Sequence, residues 1–174
     1  VAWNSLVASG HDGWDAPVLQ ADDTALILFT SGATSRAKGV ESTHRAVCQA
    51  IFNIDYIGAV AAMTSPDAVA AIMARQLQPT ILSAVPLFHV SGLHAQLLTS
   101  LRHGRRLIFV HRWDPEKAVE LIQKEKVTQF NGAPSMVQQL INIPGIERPE
   151  ISGNLSGVGF GGGALHQCLI DEVL

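Results

Sequence analysis

Short apolar runs alternate with helical patterns along this 174-residue chain, and that alternation limits the folds open to it. The runs lie at residues 25–29, 80–85, 106–110, 127–130 and 155–160, and each is followed by a turn or loop signal. Between them, residues 44–63 carry Val47, Ile51, Ile54 and Ile57 at helical spacing behind a Thr43 cap. Thr64-Ser65-Pro66-Asp67 breaks and restarts that helix. Residues 91–101 form a second helical pattern closed by His103-Gly104, and Asp114-Pro115-Glu116 opens a third with cap and proline in their preferred places. Pro134 starts a helix to about residue 141, and residues 165–174 suit a last one. Residues 40–43 fit a short return strand, 144–153 a loop, and Gly161-Gly162-Gly163 a turn. Strands alternating with helices predict an α/β fold, a mostly parallel sheet with helices on both faces. Residues 1–21 show no sustained periodicity and are expected to be an irregular lead-in, with the domain spanning 22–174.

Apolar residues make up 47% of the chain and charged residues 16%, a balance suited to one domain with a real core. The net charge of −3, without a long basic run, leaves nucleic acid no field to follow. Arg102, His103, Arg105 and Arg106 form the one local basic cluster, which a solvated helix-to-strand turn accounts for. No membrane span is expected: residues 54–63 are apolar but contain Asp55 and Tyr56 and fall short of the roughly 18–20 residues required. The first residues carry neither a basic n-region nor a cleavage pattern. Cys48 and Cys168 match no metal spacing or disulfide framework, so a cytoplasmic, reduced protein is expected.

Thr30-Ser31-Gly32-Ala33-Thr34-Ser35-Arg36-Ala37-Lys38-Gly39 follows the first apolar run. Backbone N–H groups of a glycine-containing loop can point at an anion with no Cβ in the way. Thr30, Ser31, Thr34 and Ser35 add hydroxyl donors, while Arg36 and Lys38 add fixed charge. Each hydrogen bond to a charged group contributes about 1.5–3 kcal/mol, so three or four decide where a polyphosphate sits. The string is not a Walker A loop, because Lys38 is followed by Gly39 rather than a hydroxyl residue.

It does resemble the phosphate-binding signature of the acyl-adenylate-forming enzymes: acyl-CoA synthetases, luciferases and peptide-synthetase adenylation domains. Their usual string runs Thr-Ser-Gly-Thr-Thr-Gly-x-Pro-Lys-Gly, matched here at Thr30, Ser31, Gly32, Thr34, Lys38 and Gly39. Ala33, Ser35 and Ala37 depart from it, removing one hydroxyl and leaving the backbone less predetermined. Further along, Pro86-Leu87-Phe88-His89-Val90-Ser91-Gly92-Leu93 resembles a second motif of the family, whose histidine lines the wall between carboxylate and nucleotide pockets. Outside that resemblance, a histidine in an apolar stretch is usually a packed residue. His89 is therefore the candidate catalytic residue by resemblance; His44, His94, His103, His111 and His166 are expected to be ordinary structural residues.

Gly161, Gly162, Gly163 and Ala164 resemble the family's Gly-Gly-Ala-Pro turn against the adenine, although Ala164 replaces the proline and the turn alone would be ordinary strand-to-helix geometry. Asn131 and Gly132, in Asn131-Gly132-Ala133-Pro134-Ser135-Met136, resemble the segment that lines the acyl pocket. Phe88, Val90 and Met136 suggest that this pocket is apolar. Asp22-Asp23 fits the family's approach to the phosphate strand, but a solvated turn explains the pair better than a metal site. In an open parallel sheet, ligands bind beyond the carboxyl ends of the strands, so the four motifs following strands are expected to share one edge.

The resemblance covers residues 22–174 and implies part of the large N-terminal domain of such an enzyme. A Tyr-Gly-x-Thr-Glu segment, a ribose-binding aspartate and a C-terminal domain carrying a lysine complete the family's machinery elsewhere in its members. The implied activity is attack of a carboxylic acid on ATP with Mg²⁺, giving acyl-AMP and pyrophosphate, then thioester formation with CoA. Thr30, Ser31, Gly32, Thr34 and Lys38 would hold phosphates, with His89 beside the carboxylate; the chain alone is expected to be inactive. The alternatives are a non-catalytic nucleotide-binding or scaffolding homologue and part of a peptide-synthetase adenylation domain. Apolar surface exposed on such a piece is expected to promote self-association.

Overall fold

The computed structural model describes residues 5, 17–30, 36–160, 167 and 171. The expected last turn and helix, from residue 161 on, lie essentially outside the described residues, as do Ser31, Gly32 and Thr34.

Strands β1 (Thr24–Thr30) and β2 (Lys38–Thr43) pair antiparallel, with Thr30 opposite Lys38. They form a ribbon separate from the main sheet. Thr43 caps the next helix, α1 (His44–Thr64): the Ala46 N–H donates to Thr43 Oγ1 at 3.2 Å. Ser65 ends it and Pro66 starts α2 (Pro66–Ala74), as expected.

The main sheet is parallel and four-stranded, in the order β4-β3-β5-β6. Its strands are β3 (Thr80–Ser83), β4 (Arg106–Phe109), β5 (Gln129–Gly132) and β6 (Gly157–Phe160). Between β3 and β4 runs a continuous helix: α3 (Val90–Gly92), a π-helical segment (Leu93–Leu98) and α4 (Thr99–His103). Gly104 closes it in the left-handed region at φ +62°. Helix α5 (Pro115–Lys124) begins where Asp114 accepts the Lys117 N–H, and α6 (Pro134–Ile141) begins on its proline. The stretch expected to be a loop contains a four-residue helix, α7 (Pro149–Ser152), because Pro149 presets its first turn.

Alternation along the strands sends Leu82 and Phe130 to one face of the sheet. There they meet Ala118 and Ile122 of α5, Val127, and Val137 and Leu140 of α6, all essentially inaccessible to solvent. Trp113 stacks on Phe130 with ring centroids 5.2 Å apart. Ile81, Ser83, Gln129 and Asn131 project to the opposite face, beneath the helix of residues 90–103. The α/β fold with helices on both faces is therefore present.

Two placements differ from those expected. Strand β1 is not in the parallel sheet, and residues 31–35 of the loop that follows it lie outside the described residues. The reason is the short link to β2: a tight return permits only antiparallel pairing, whereas a parallel neighbour needs a long crossover. Strand β5 starts two residues late, because Thr128 is held by Thr80 through three backbone and side-chain hydrogen bonds before the ladder begins. Helix α1 also extends the apolar stretch beyond residues 54–63. By length and composition it is the one described helix that could cross a membrane. Asp55 sits near its middle, engaged by Arg102 and His103, and a carboxylate at a bilayer centre costs about 2.5–3.5 kcal/mol on insertion scales.

Candidate active site

A cavity of ≈ 450 Å³ lies between the helix of residues 90–103 and the sheet face carrying Gln129 and Asn131. That volume is in the range of small-molecule sites. It opens at the carboxyl ends of β3 and β5, where open parallel sheets place their ligands.

His89 stands at the mouth. Strand β3 ends before Pro86, the His89 N–H donates to the Pro86 carbonyl at 3.1 Å, and the His89 carbonyl accepts from the Leu93 N–H at 2.9 Å. The residue thus occupies the cap position of α3, its ring 4.9 Å from that of Phe88 and its imidazole exposed. Gly92 makes this turn feasible, since a Cβ there would meet the Pro86 carbonyl oxygen at 2.3 Å. Asn131 and Gly132 line the cavity from β5, and Asn131 lies over Gly159 of the neighbouring strand. Met136 lines it too; Phe88 and Val90 do not, because they flank His89 and face solvent.

The π-helical segment builds the roof. Its wide turn gives the His94 carbonyl both the Thr99 N–H and the Thr99 hydroxyl, the latter at 2.8 Å. One extra residue in a turn rotates all later side chains by about 100°. Gln96 and Thr99 consequently line the cavity, and Gln96 is buried with its Oε1 unpartnered. His94, expected to be an ordinary helical residue, is buried with Nδ1 unpartnered. A π segment leaves no trace in apolar periodicity, so neither residue stands out in the sequence.

The basic cluster also divides. Arg102 and His103 pair with Asp55 at 2.8 and 2.7 Å, and Arg106 pairs with Glu125. Arg105 instead lines the far end of the cavity, beside Thr99 and Gln129. Sequence proximity alone groups it with a solvated turn, since proximity hides which way each side chain leaves the backbone.

Of the expected phosphate-binding residues, Thr30 and Lys38 are exposed on the ribbon, where the Thr30 hydroxyl donates to the Lys38 carbonyl at 3.4 Å. Ser31, Gly32 and Thr34, and Gly161, Gly162, Gly163 and Ala164 on the adenine side, lie outside the described residues. Asp22 pairs with Arg45 at 2.8 Å and Asp23 accepts the Gln20 N–H at 2.7 Å, so the pair makes a turn. The Arg45 guanidinium holds the Asp22 carboxyl below the usual carboxylate range by hydrogen bond and charge. Among the described residues no three His, Cys, Asp or Glu side chains gather as a metal site.

Known proteins match this arrangement. The chain is 31% identical over 153 residues to 4-coumarate–CoA ligase 4 of Arabidopsis thaliana, covering 87% of this chain and 25% of that protein. It is 29% identical over 132 residues to the long-chain-fatty-acid–CoA ligase of Bacillus subtilis, covering 75% and 21%. It thus spans about a quarter of the length of these relatives. Among solved structures, the inhibitor-bound N-terminal domain of FACL13 from Mycobacterium tuberculosis superimposes with a TM-score of 0.72 at 23% identity, over 98% of this chain and 38% of that one. ATP-bound MatB from Rhodopseudomonas palustris gives 0.70 at 21% identity, over 97% and 30%. Both likenesses establish the fold. The AMP-binding enzyme family matches residues 3–174, nearly the whole chain, and the chain belongs to that family.

Proposed function

We propose that this chain supplies the acid cavity and the phosphate loop of an acid–thiol ligase of its relatives' length. That enzyme forms an acyl-adenylate from a carboxylic acid and ATP with release of pyrophosphate, then transfers the acyl group to the CoA thiol with release of AMP. The observation that carries this reading is the cavity under His89 at the carboxyl edge of the parallel sheet, lined by Asn131 and Gly132. The relatives named as CoA ligases support the reaction class. The acid enters with its carboxylate toward His89, whose exposed imidazole can donate to a carboxylate or phosphoryl oxygen as charge develops. Residues 30–38 take the β- and γ-phosphates through hydroxyls, main-chain N–H groups and Lys38. Gly161 to Ala164 lie against the adenine. Removing water from the acid's reactive end strengthens each of these contacts.

ATP–pyrophosphate exchange with Mg²⁺ and a panel of fatty, aromatic and amino acids tests this. An enzyme of the relatives' length containing these residues is expected to exchange with at least one acid, and His89→Ala to lower that rate about 10²-fold. Exchange independent of every acid tried, or unaffected by His89→Ala, would count against the assignment. The 174 residues alone are expected to give no exchange.

The same chain exposes Phe29 on the ribbon, Tyr56 and Met63 on α1, and Met73 on α2, each more than two-thirds uncovered. Apolar surface of this kind drives association. Sedimentation velocity is expected to show mass rising with concentration, and Met63→Glu with Phe29→Glu to reduce it; a concentration-independent monomer would refute this.

A further inference from the structure

The cavity runs along the sheet, from Gly132 and His89 at the carboxyl edge to Gln129 and Arg105 at the amino edge. Gln129 and Gly132 stand three positions apart, so the two ends lie about 10 Å apart at the rise of a β-strand. The two ends differ in chemistry. At the far end Arg105 is half-buried, and its guanidinium has no hydrogen-bond or ion-pair partner among the described residues. Its basic neighbours Arg102, His103 and Arg106 are all engaged by carboxylates. Gln96, 2% exposed, lines the same cavity. Arg105 and Gln129 also wall a second cavity of ≈ 210 Å³, where Arg75 donates to the Gly153 carbonyl at 2.8 Å. No acidic side chain lines either cavity among the described residues.

A guanidinium drawn partly out of water without a counter-ion is costly. Its planar fork matches a carboxylate bidentately. From these observations we propose that the acid taken by this cavity is a dicarboxylate. One carboxylate sits at His89 for activation, and the second, about 10 Å deeper, is held by Arg105. This rests on the acid-binding reading above and specifies the substrate class.

Calorimetric titration of the chain with suberate and with octanoate, which differ by the terminal carboxylate, tests it. Suberate is expected to bind about tenfold more tightly or better, and Arg105→Gln to bring the ratio of the two affinities toward one. Phenylglyoxal labelling of the unaltered chain, mapped by mass spectrometry, gives a second readout free of any folding defect. Suberate is expected to protect Arg105 from labelling and octanoate to leave it reactive. Equal affinities, or equal protection by both acids, would overturn the dicarboxylate assignment while leaving an acid site in place. Binding of neither acid would also overturn it, and the ligase reading would then stand or fall on pyrophosphate exchange with monocarboxylic acids.

Discussion

A methyl group on Gly92 would sit 2.3 Å from the Pro86 carbonyl oxygen and 2.9 Å from that of Val85. Both are main-chain atoms of the turn that carries His89, so neither can swing aside as a side chain would. Gly92 has an ordinary helical φ of −74°, which makes its requirement one of space and not of backbone freedom. Gly92→Ala is expected to destabilise the chain by about 2–3 kcal/mol and to displace His89 from the cavity mouth. Gly58 is the control: nothing lies within 4 Å of its added Cβ, and it is exposed within α1. Gly58→Ala is expected to stabilise by up to about 1 kcal/mol. Denaturant unfolding of both variants checks the pair, and similar effects in the two would contradict the packing argument.

Helix α1 is fastened to α4 by polar contacts rather than by a buried apolar seam. Only Val47 of its 21 residues is buried. Asp55 accepts from Arg102 Nε at 2.8 Å and meets His103 Nε2 at 2.7 Å, while the Arg102 guanidinium lies 4.9 Å from the centroid of Phe52. His103, first, and Arg102 hold the Asp55 carboxyl below its ordinary value of 3.8. A carboxyl depressed in the folded state stabilises above its unfolded pKa, and that contribution is lost as pH falls through the folded value. Wild-type melting temperature should therefore drop in acid, below about pH 4. Asp55→Asn should melt lower than wild type at neutral pH, with the difference shrinking below that point. A constant difference across the titration would show that the bridge does not couple to stability.

At the scale of the molecule, two unlike faces share one four-stranded sheet. The face bearing Leu82 and Phe130 is dry and closed by α5 and α6. Phe130→Ala empties the centre of that cluster and is expected to cost about 3–5 kcal/mol, read from urea unfolding; a loss under about 1 kcal/mol would mean that the core collapses around the gap. The opposite face, under the helix of residues 90–103, holds Ser83, Gln96, Thr99 and Ser100, all buried. Ser83 Oγ, His94 Nδ1, Gln96 Oε1 and Ser100 Oγ have no partners among the described residues. Buried polar groups left unpaired are costly and persist where they serve a site. The stable half of the domain and the chemical half are thus divided by the thickness of a sheet.

Local rules settled the order of elements, since hydrogen bonding and apolar periodicity act within a few residues. Thr43, Asp114, Pro134 and Gly104 mark their helix ends where sequence alone put them. The motif residues His89, Asn131 and Gly132 were also legible, and the fold gathers them around one cavity. Non-local pairing settled the rest. The link between β1 and β2 placed β1 in its own ribbon, the π segment turned Gln96 inward, and Arg105 parted from its neighbours. None of these follows from periodicity, because each depends on which groups remain unsatisfied once distant segments have packed. The sequence determined the elements and the family; the tertiary structure decided which polar groups line the cavity, because burial and partnering exist only after the sheet has assembled.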